Sequence, residues 1–101
     1  MAERFVYRFA WDPEKAAGNR AKHGVTFEQA ATVFRDPLAL SLYDNEHSET
    51  EERWLTLGLD ENGVLLVVSH TFEELGDDEA VVRVISAREA TAHEREQYES
   101  G

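Results

Sequence analysis

Residues 27–34 place Phe27, Ala30, Ala31 and Phe34 at the i, i+3, i+4 and i+7 positions of one helix face. Thr26 and Gln29 form a capping box before this face, Val25 is placed to staple onto Ala30, and Asp36-Pro37 closes the run. This pattern predicts the clearest helix in the chain. An earlier helix opens at WDPEK, where Asp12 suits the N-cap and Pro13 the first helical position. It runs through AAGNRAK to Gly24, a typical C′ residue. The internal Gly18 weakens it by about 1 kcal/mol of propensity.

Elsewhere the period falls to two, or the sequence is apolar throughout. Residues 4–10, RFVYRFA, mix aromatics and valine with arginine as a strand does. LALSLY predicts a strand with Leu38, Leu40 and Leu42 on one face, and RWLTLGL a strand with Leu55, Leu57 and Leu59 on one side. DENG then signals a hairpin turn through Asn62-Gly63. VLLVVSHT is almost uninterruptedly apolar and predicts a central strand buried on both faces; VVRVIS predicts a further strand. Ser86 with Glu89, or Thr91 with Glu94, caps a last helix ending near Tyr98. Residues 44–52 and 72–80 are polar, acidic loops. The order β-α-α-β-β-β-β-α predicts one α+β domain over residues 1–101, with two N-terminal helices and one C-terminal helix packed on a small antiparallel sheet.

Charge complicates this picture. The formal net charge is −11, which argues against indiscriminate binding of nucleic acid. The acidity is regional, however: residues 41–80 alone balance to −11, residues 1–40 to +1 and residues 81–101 to −1. A cationic site built from the two ends of the chain is therefore compatible with an acidic total. There are 0 cysteines, so no disulfide or thiolate metal site is expected. The acids and His47 of residues 44–52 match no EF-hand or zinc spacing and suggest a solvated loop; no metal and no cofactor is expected. No apolar run approaches the roughly 20 residues of a membrane span, and MAERFVYRFAW is too polar for a signal peptide. The expected location is the cytoplasm.

FAWDPEK, NRAKHGVTFEQAATVFRDP, EERWLTLG, LLVVSHT and RVISAREAT, followed by HERE and YE, occur here in the order found in one family. The chain resembles the BrnT toxins, the ribonuclease half of the BrnT–BrnA toxin–antitoxin systems, over nearly its whole length. The resemblance implies a RelE-like fold and an endoribonuclease that works without metal. It also implies a BrnA-like ribbon-helix-helix antitoxin partner, DNA contact only through that antitoxin, and a 2:2 complex. The C-terminal tail departs from the family: Glu89 stands where a basic residue is common.

RNA cleavage without metal needs a group to take the 2′-hydroxyl proton, charge to stabilise a phosphorane-like intermediate, and a proton for the leaving oxygen. Guanidinium groups suit the second task. Arg83 on an apolar strand, Arg88 at the strand–helix junction and Arg53, the one basic residue of the acidic middle, are the candidates. Their plainer reading is ion pairing, Arg83 with any of the many acids and Arg53 with Glu51 or Glu52. His70 is the candidate proton carrier, or else a core histidine bonded to backbone. Lys22 and His23 at the first helix end, Lys15 within that helix and Trp11 before it are candidate RNA-binding residues. Trp11 and Trp54 equally fit a core, Lys15 a pair with Glu14 or Asp12, and His47 and His93 a solvated surface. The acidic loops suit a second use, steering a basic antitoxin segment. Two functions follow: a ribonuclease toxin, or an interaction module that keeps the antitoxin surface and holds RNA too weakly to cut it.

Overall fold

The computed structural model describes residues 5–101. Its elements are β1 (Val6–Ala10), α1 (Pro13–His23), α2 (Phe27–Thr32), β2 (Leu40–Tyr43), β3 (Trp54–Leu59), β4 (Leu65–Glu74), β5 (Glu79–Glu89) and α3 (Ala92–Ser100). The fold is α+β, with the three helices and five strands the sequence predicts. Arg4, placed at the head of the first strand by its sequence, lies outside the described residues.

The strands form one sheet in the order β1-β5-β4-β3-β2. The expected sheet was wholly antiparallel. Observed pairings are antiparallel for β2–β3, β3–β4 and β4–β5, but β1 lies parallel to β5. The reason is topological: α1, α2 and three strands separate β1 from β5, so no hairpin fixes its direction. β4 is central, as its apolar run predicts, and Leu65, Leu66, Val67 and Val68 are all buried.

Local signals set the helix ends. Asp12 caps α1 by accepting the Glu14 N–H at 2.9 Å, and Gly24 ends it in the left-handed region at φ 70°. The Thr26–Gln29 and Thr91–Glu94 capping boxes both form. Ser86 is not the alternative cap, because β5 continues to Glu89. The second helix is shorter than its apolar face suggests and tightens into a 3-10 turn over Val33–Arg35.

The main core lies between one sheet face and α1–α2. Phe27, Ala30 and Val33 pack there on Leu66, Val68, Val82, Val84 and Ala87. Each such large side chain, fully buried, contributes about 1.5–3 kcal/mol. Beyond the end of β1, α1 takes over as neighbour of β5. Asn19 donates to Ala87 O at 2.8 Å and accepts from Ala87 N–H at 3.0 Å, imitating a strand partner.

The leucine stripes of β2 and β3 keep to one side of the sheet, as their alternation predicts, and that side faces away from this core. Thr56 and Gly58, not Leu55 and Leu57, face this core. Leu38 and Leu42 are exposed, and Leu40, Leu55 and Leu57 are half-buried. Leu40, Leu42, Leu55 and Leu57 belong to the reverse face of the sheet, which α3 partly overlies, and Leu38 precedes β2. Gly58 is required where it stands, because an added Cβ would lie 2.9 Å from Val33 Cγ1 and 3.0 Å from Ala39 Cβ. Among the described residues no helix is long and apolar enough to cross a membrane.

Candidate active site

The alternation of β5 decides what reaches the reverse face. Ala80, Val82 and Val84 point into the core, so Val81 and Arg83 point away from it. A register shift follows, with Ser69 opposite Ser86 and His70 opposite Val84. The extra residue keeps Ala87 in the core and leaves Arg88 on the reverse face, opposite Val67. Arg53 precedes β3 and points to the same side. Arg53 thus shares one face of the sheet with Arg83 and Arg88 of β5.

A cleft of about 620 Å³ opens on that face. Arg53 and Arg88 line it, with Leu55, Ser69, Ser86 and the loop residues Asp44, Glu46 and His47. Arg83 is not in its wall but is tied to it through Glu51. Arg83 Nη2 donates to both Glu51 carboxylate oxygens, at 2.5 and 2.6 Å, and Arg53 Nη2 lies 3.7 Å from the same carboxylate. Arg88 makes a two-pronged pair with Glu94 of α3, at 2.8 and 2.9 Å. Arg53 Nε is enclosed and has no protein partner among the described residues, which leaves this arginine the least committed of the three.

Charge and hydrogen bonding fix the ionisation of these groups. The hydrogen bond from Arg88 holds the Glu94 carboxyl down at about 2, against desolvation, with help from the Thr91 backbone. The same bond raises Arg88. Arg83 holds Glu51 below the usual carboxylate range, aided by the charges of Arg53 and Lys15. Two carboxylates therefore stand, fully charged, where the guanidinium groups would meet an anion.

His70 is not part of this cluster. It lies on the core face, 2% exposed, with Phe34 packed against its ring at a centroid distance of 4.8 Å. Nδ1 is 3.0 Å from Thr71 O, which can only accept, so Nδ1 carries the proton. Nε2 accepts from Thr56 Oγ1 at 2.6 Å, and Ser41 Oγ sits 2.8 Å from that hydroxyl. Burial lowers the His70 pKa, partly offset by the Thr71 bond, so the ring is neutral at pH 7.

The remaining candidates lie apart from the cleft. Trp11 is half-buried, edge-on to Phe27 at 6.0 Å. Lys22 and His23 are exposed at the end of α1; Lys15 is exposed near its start, close enough for its charge to reach Glu51. Glu51, expected beside Arg53, lies 3.7 Å from it but bonds chiefly to Arg83; Glu94 was missed as the partner of Arg88, because its place in a capping box gave no sign of an arginine. Asp44 and His47 were read as solvated. Their i, i+3 spacing was the available signal, and the structure joins them at 2.9 Å. Among the described residues no cluster of His, Cys, Asp and Glu could hold a metal.

Residues 11–94 match the family model described as the ribonuclease toxin, BrnT, of type II toxin–antitoxin systems. Among curated proteins none matches the chain. Among solved structures, the chain is similar to the crystal structure of the Brucella abortus ribonuclease toxin, BrnT. The TM-score is 0.56 and the identity 23%, over 85% of this chain and 99% of that one. At that identity the likeness establishes the fold, and the family rests on the sequence model, which spans most of the chain. The chain belongs to the BrnT family of ribonuclease toxins of type II toxin–antitoxin systems.

Proposed function

We propose that this chain is an endoribonuclease toxin that grips the scissile phosphate with Arg53 and Arg88, while Arg83 steadies the site through Glu51. The observation that carries this reading is the meeting of Arg53, from the acidic middle of the chain, and Arg88, from its last quarter, on one open cleft. In the free protein Glu51 and Glu94 stand in for phosphate oxygens. An incoming phosphate exchanges with them, since guanidinium binds carboxylate and phosphate with the same fork. Cleavage proceeds by 2′-hydroxyl attack and leaves a cyclic phosphate, with no metal taking part. His70 braces the sheet from behind.

Cleavage of single-stranded RNA in EDTA tests the assignment. Arg53→Ala and Arg88→Ala should each lower kcat/KM by about a hundredfold or more, the scale of losing one transition-state charge partner. Unchanged cleavage in both variants would refute it. The partner in this reading is a ribbon-helix-helix antitoxin, which covers the cleft in the cytoplasm as a 2:2 complex and alone contacts DNA.

The pairing of Arg83 and Arg88 with carboxylates favours a second reading, a module that binds antitoxin but not RNA. Expression of the chain alone in bacteria separates the two. Growth arrest with falling RNA supports the nuclease; normal growth with tight antitoxin binding supports the module.

A further inference from the structure

The connection between β2 and β3 is more than a solvated loop. Asp44 N–H donates to Arg53 O at 2.8 Å, Arg53 N–H donates to Ser48 Oγ at 3.0 Å, and Ser48 Oγ donates to Asp44 O at 2.5 Å. These bonds fold the segment back onto its own base, beside Arg53. Within it Asp44 caps a 3-10 turn, Asn45–His47, by accepting the Glu46 N–H at 3.2 Å. The other Asp44 oxygen lies 2.9 Å from His47 Nδ1. The Asp44 side chain is 12% exposed and the His47 ring 61%, so the carboxylate is set in place and the imidazole is open to solvent.

A carboxylate can only accept, so Nδ1 of the neutral ring carries the proton and Nε2 holds a free lone pair. Asp44, Glu46, His47, Arg53 and Arg88 line one cleft, with Tyr43. Of these charged and titratable side chains, only histidine ordinarily changes protonation between pH 5 and 8.

We propose that His47 is the general base of this cleft and that Asp44 is its positioning residue. The inference rests on the ribonuclease reading and supplies the proton acceptor that reading lacks. His47 Nε2 takes the proton of the 2′-hydroxyl as O2′ bonds to phosphorus on Arg53 and Arg88. The P–O5′ bond breaks, the departing O5′ takes a proton from solvent water, and His47 returns its own to solvent. The products are a 2′,3′-cyclic phosphate and a 5′-hydroxyl, with no net proton change. Asp44 fixes the tautomer and stabilises the imidazolium formed on the way.

The test uses the full chain and a labelled mixed-sequence single-stranded RNA, with pH–rate profiles and a 2′-O-methyl RNA to measure binding alone. His47→Gln should lower kcat at least a hundredfold, leave 2′-O-methyl RNA binding within threefold, and abolish the single-proton rise of rate with pH. Asp44→Asn keeps the turn cap and should lower kcat about tenfold or more while leaving 2′-O-methyl RNA binding within threefold. His47→Asn serves as a second variant should His47→Gln lower the Tm.

If His47→Gln cuts RNA within threefold of the parent while Arg53→Ala and Arg88→Ala do not, the general base is misassigned and the ribonuclease reading stands. If Asp44→Asn matches the parent in kcat, or loses rate only through weaker 2′-O-methyl RNA binding, Asp44 has no positioning role. A parent chain that cleaves no RNA overturns the dyad and the nuclease together.

Discussion

Two buried polar residues show how single side chains specify this fold. Asn19 spends its amide on Val25 O and on both backbone groups of Ala87, at 3.0, 2.8 and 3.0 Å. Asn19→Leu leaves the buried Ala87 groups without partners and should cost about 2–4 kcal/mol in chemical denaturation; a loss below 0.5 kcal/mol, roughly the noise of a surface change, would show that the mimicry of a strand is incidental. His70 predicts a pH effect. Its folded pKa lies below its unfolded value, so the unfolded chain binds more protons on the acid side. Stability from this group is present above about pH 6.5 and is lost as pH falls further. Denaturant midpoints measured across pH 5–8 should fall on the acid side in the parent chain, and His70→Phe should flatten that part of the curve. An identical slope in both would rule out burial of a neutral ring.

At the level of elements, α3 stands out because none of its residues is buried. Two polar ties hold it, the Arg88–Glu94 pair and the Tyr98 hydroxyl on Asp36 at 2.6 Å. That second tie pushes Tyr98 up to about 12. Burial would raise Asp36, but bonds from Leu59, Tyr98 and Leu38 hold it below its ordinary value. Glu94, at about 2 against 4.5 unfolded, stabilises the fold above pH 4.5 and ceases to as pH falls through about 2. Hydrogen exchange should therefore find α3 amides opening well before those of β4, and more readily still in Glu94→Gln at pH 7, with the difference gone near pH 2. Protection of α3 equal to that of β4 would show the helix to be part of the core. Helix ends and the central strand were legible in the sequence because Asp12, Gly24, Thr26 and the run Val64–Val68 act locally. The direction of β1 and the reverse face of Leu40, Leu42, Leu55 and Leu57 were not. Alternation says that a strand has two faces but not which of them a helix will cover. The arginines of the site were legible by type. The bonds of Arg83 to Glu51 and of Arg88 to Glu94, and the separation of His70 from them by the thickness of the sheet, depend on register and on a bulge that no local pattern announces.

For the molecule as a whole, charge and site pull in opposite directions. The net charge is −11, yet the proposed substrate is a polyanion. The fold separates the two partly by distance along β4 and β5. Arg88 sits near the end where Leu66 pairs with Glu89, whereas Glu73, Glu74, Asp77 and Asp78 are exposed around the opposite end, where Glu74 pairs with Ala80. Among the described residues these four acids make no side-chain hydrogen bond or ion pair with a cleft residue, so their effect on RNA is a long-range field, screened over about 10 Å at 0.1 M salt. Replacing them together by Gln, Gln, Asn and Asn removes four negative charges and should speed RNA association about threefold to tenfold at low salt. The gain should vanish near 1 M salt, where screening falls to about 3 Å, and kcat should not change. Stopped-flow binding of 2′-O-methyl RNA across a salt series measures this directly. A gain that survives high salt would mean that the hairpin touches RNA itself, and no gain at low salt would mean that RNA does not approach as a polyanion seeking Arg53 and Arg88.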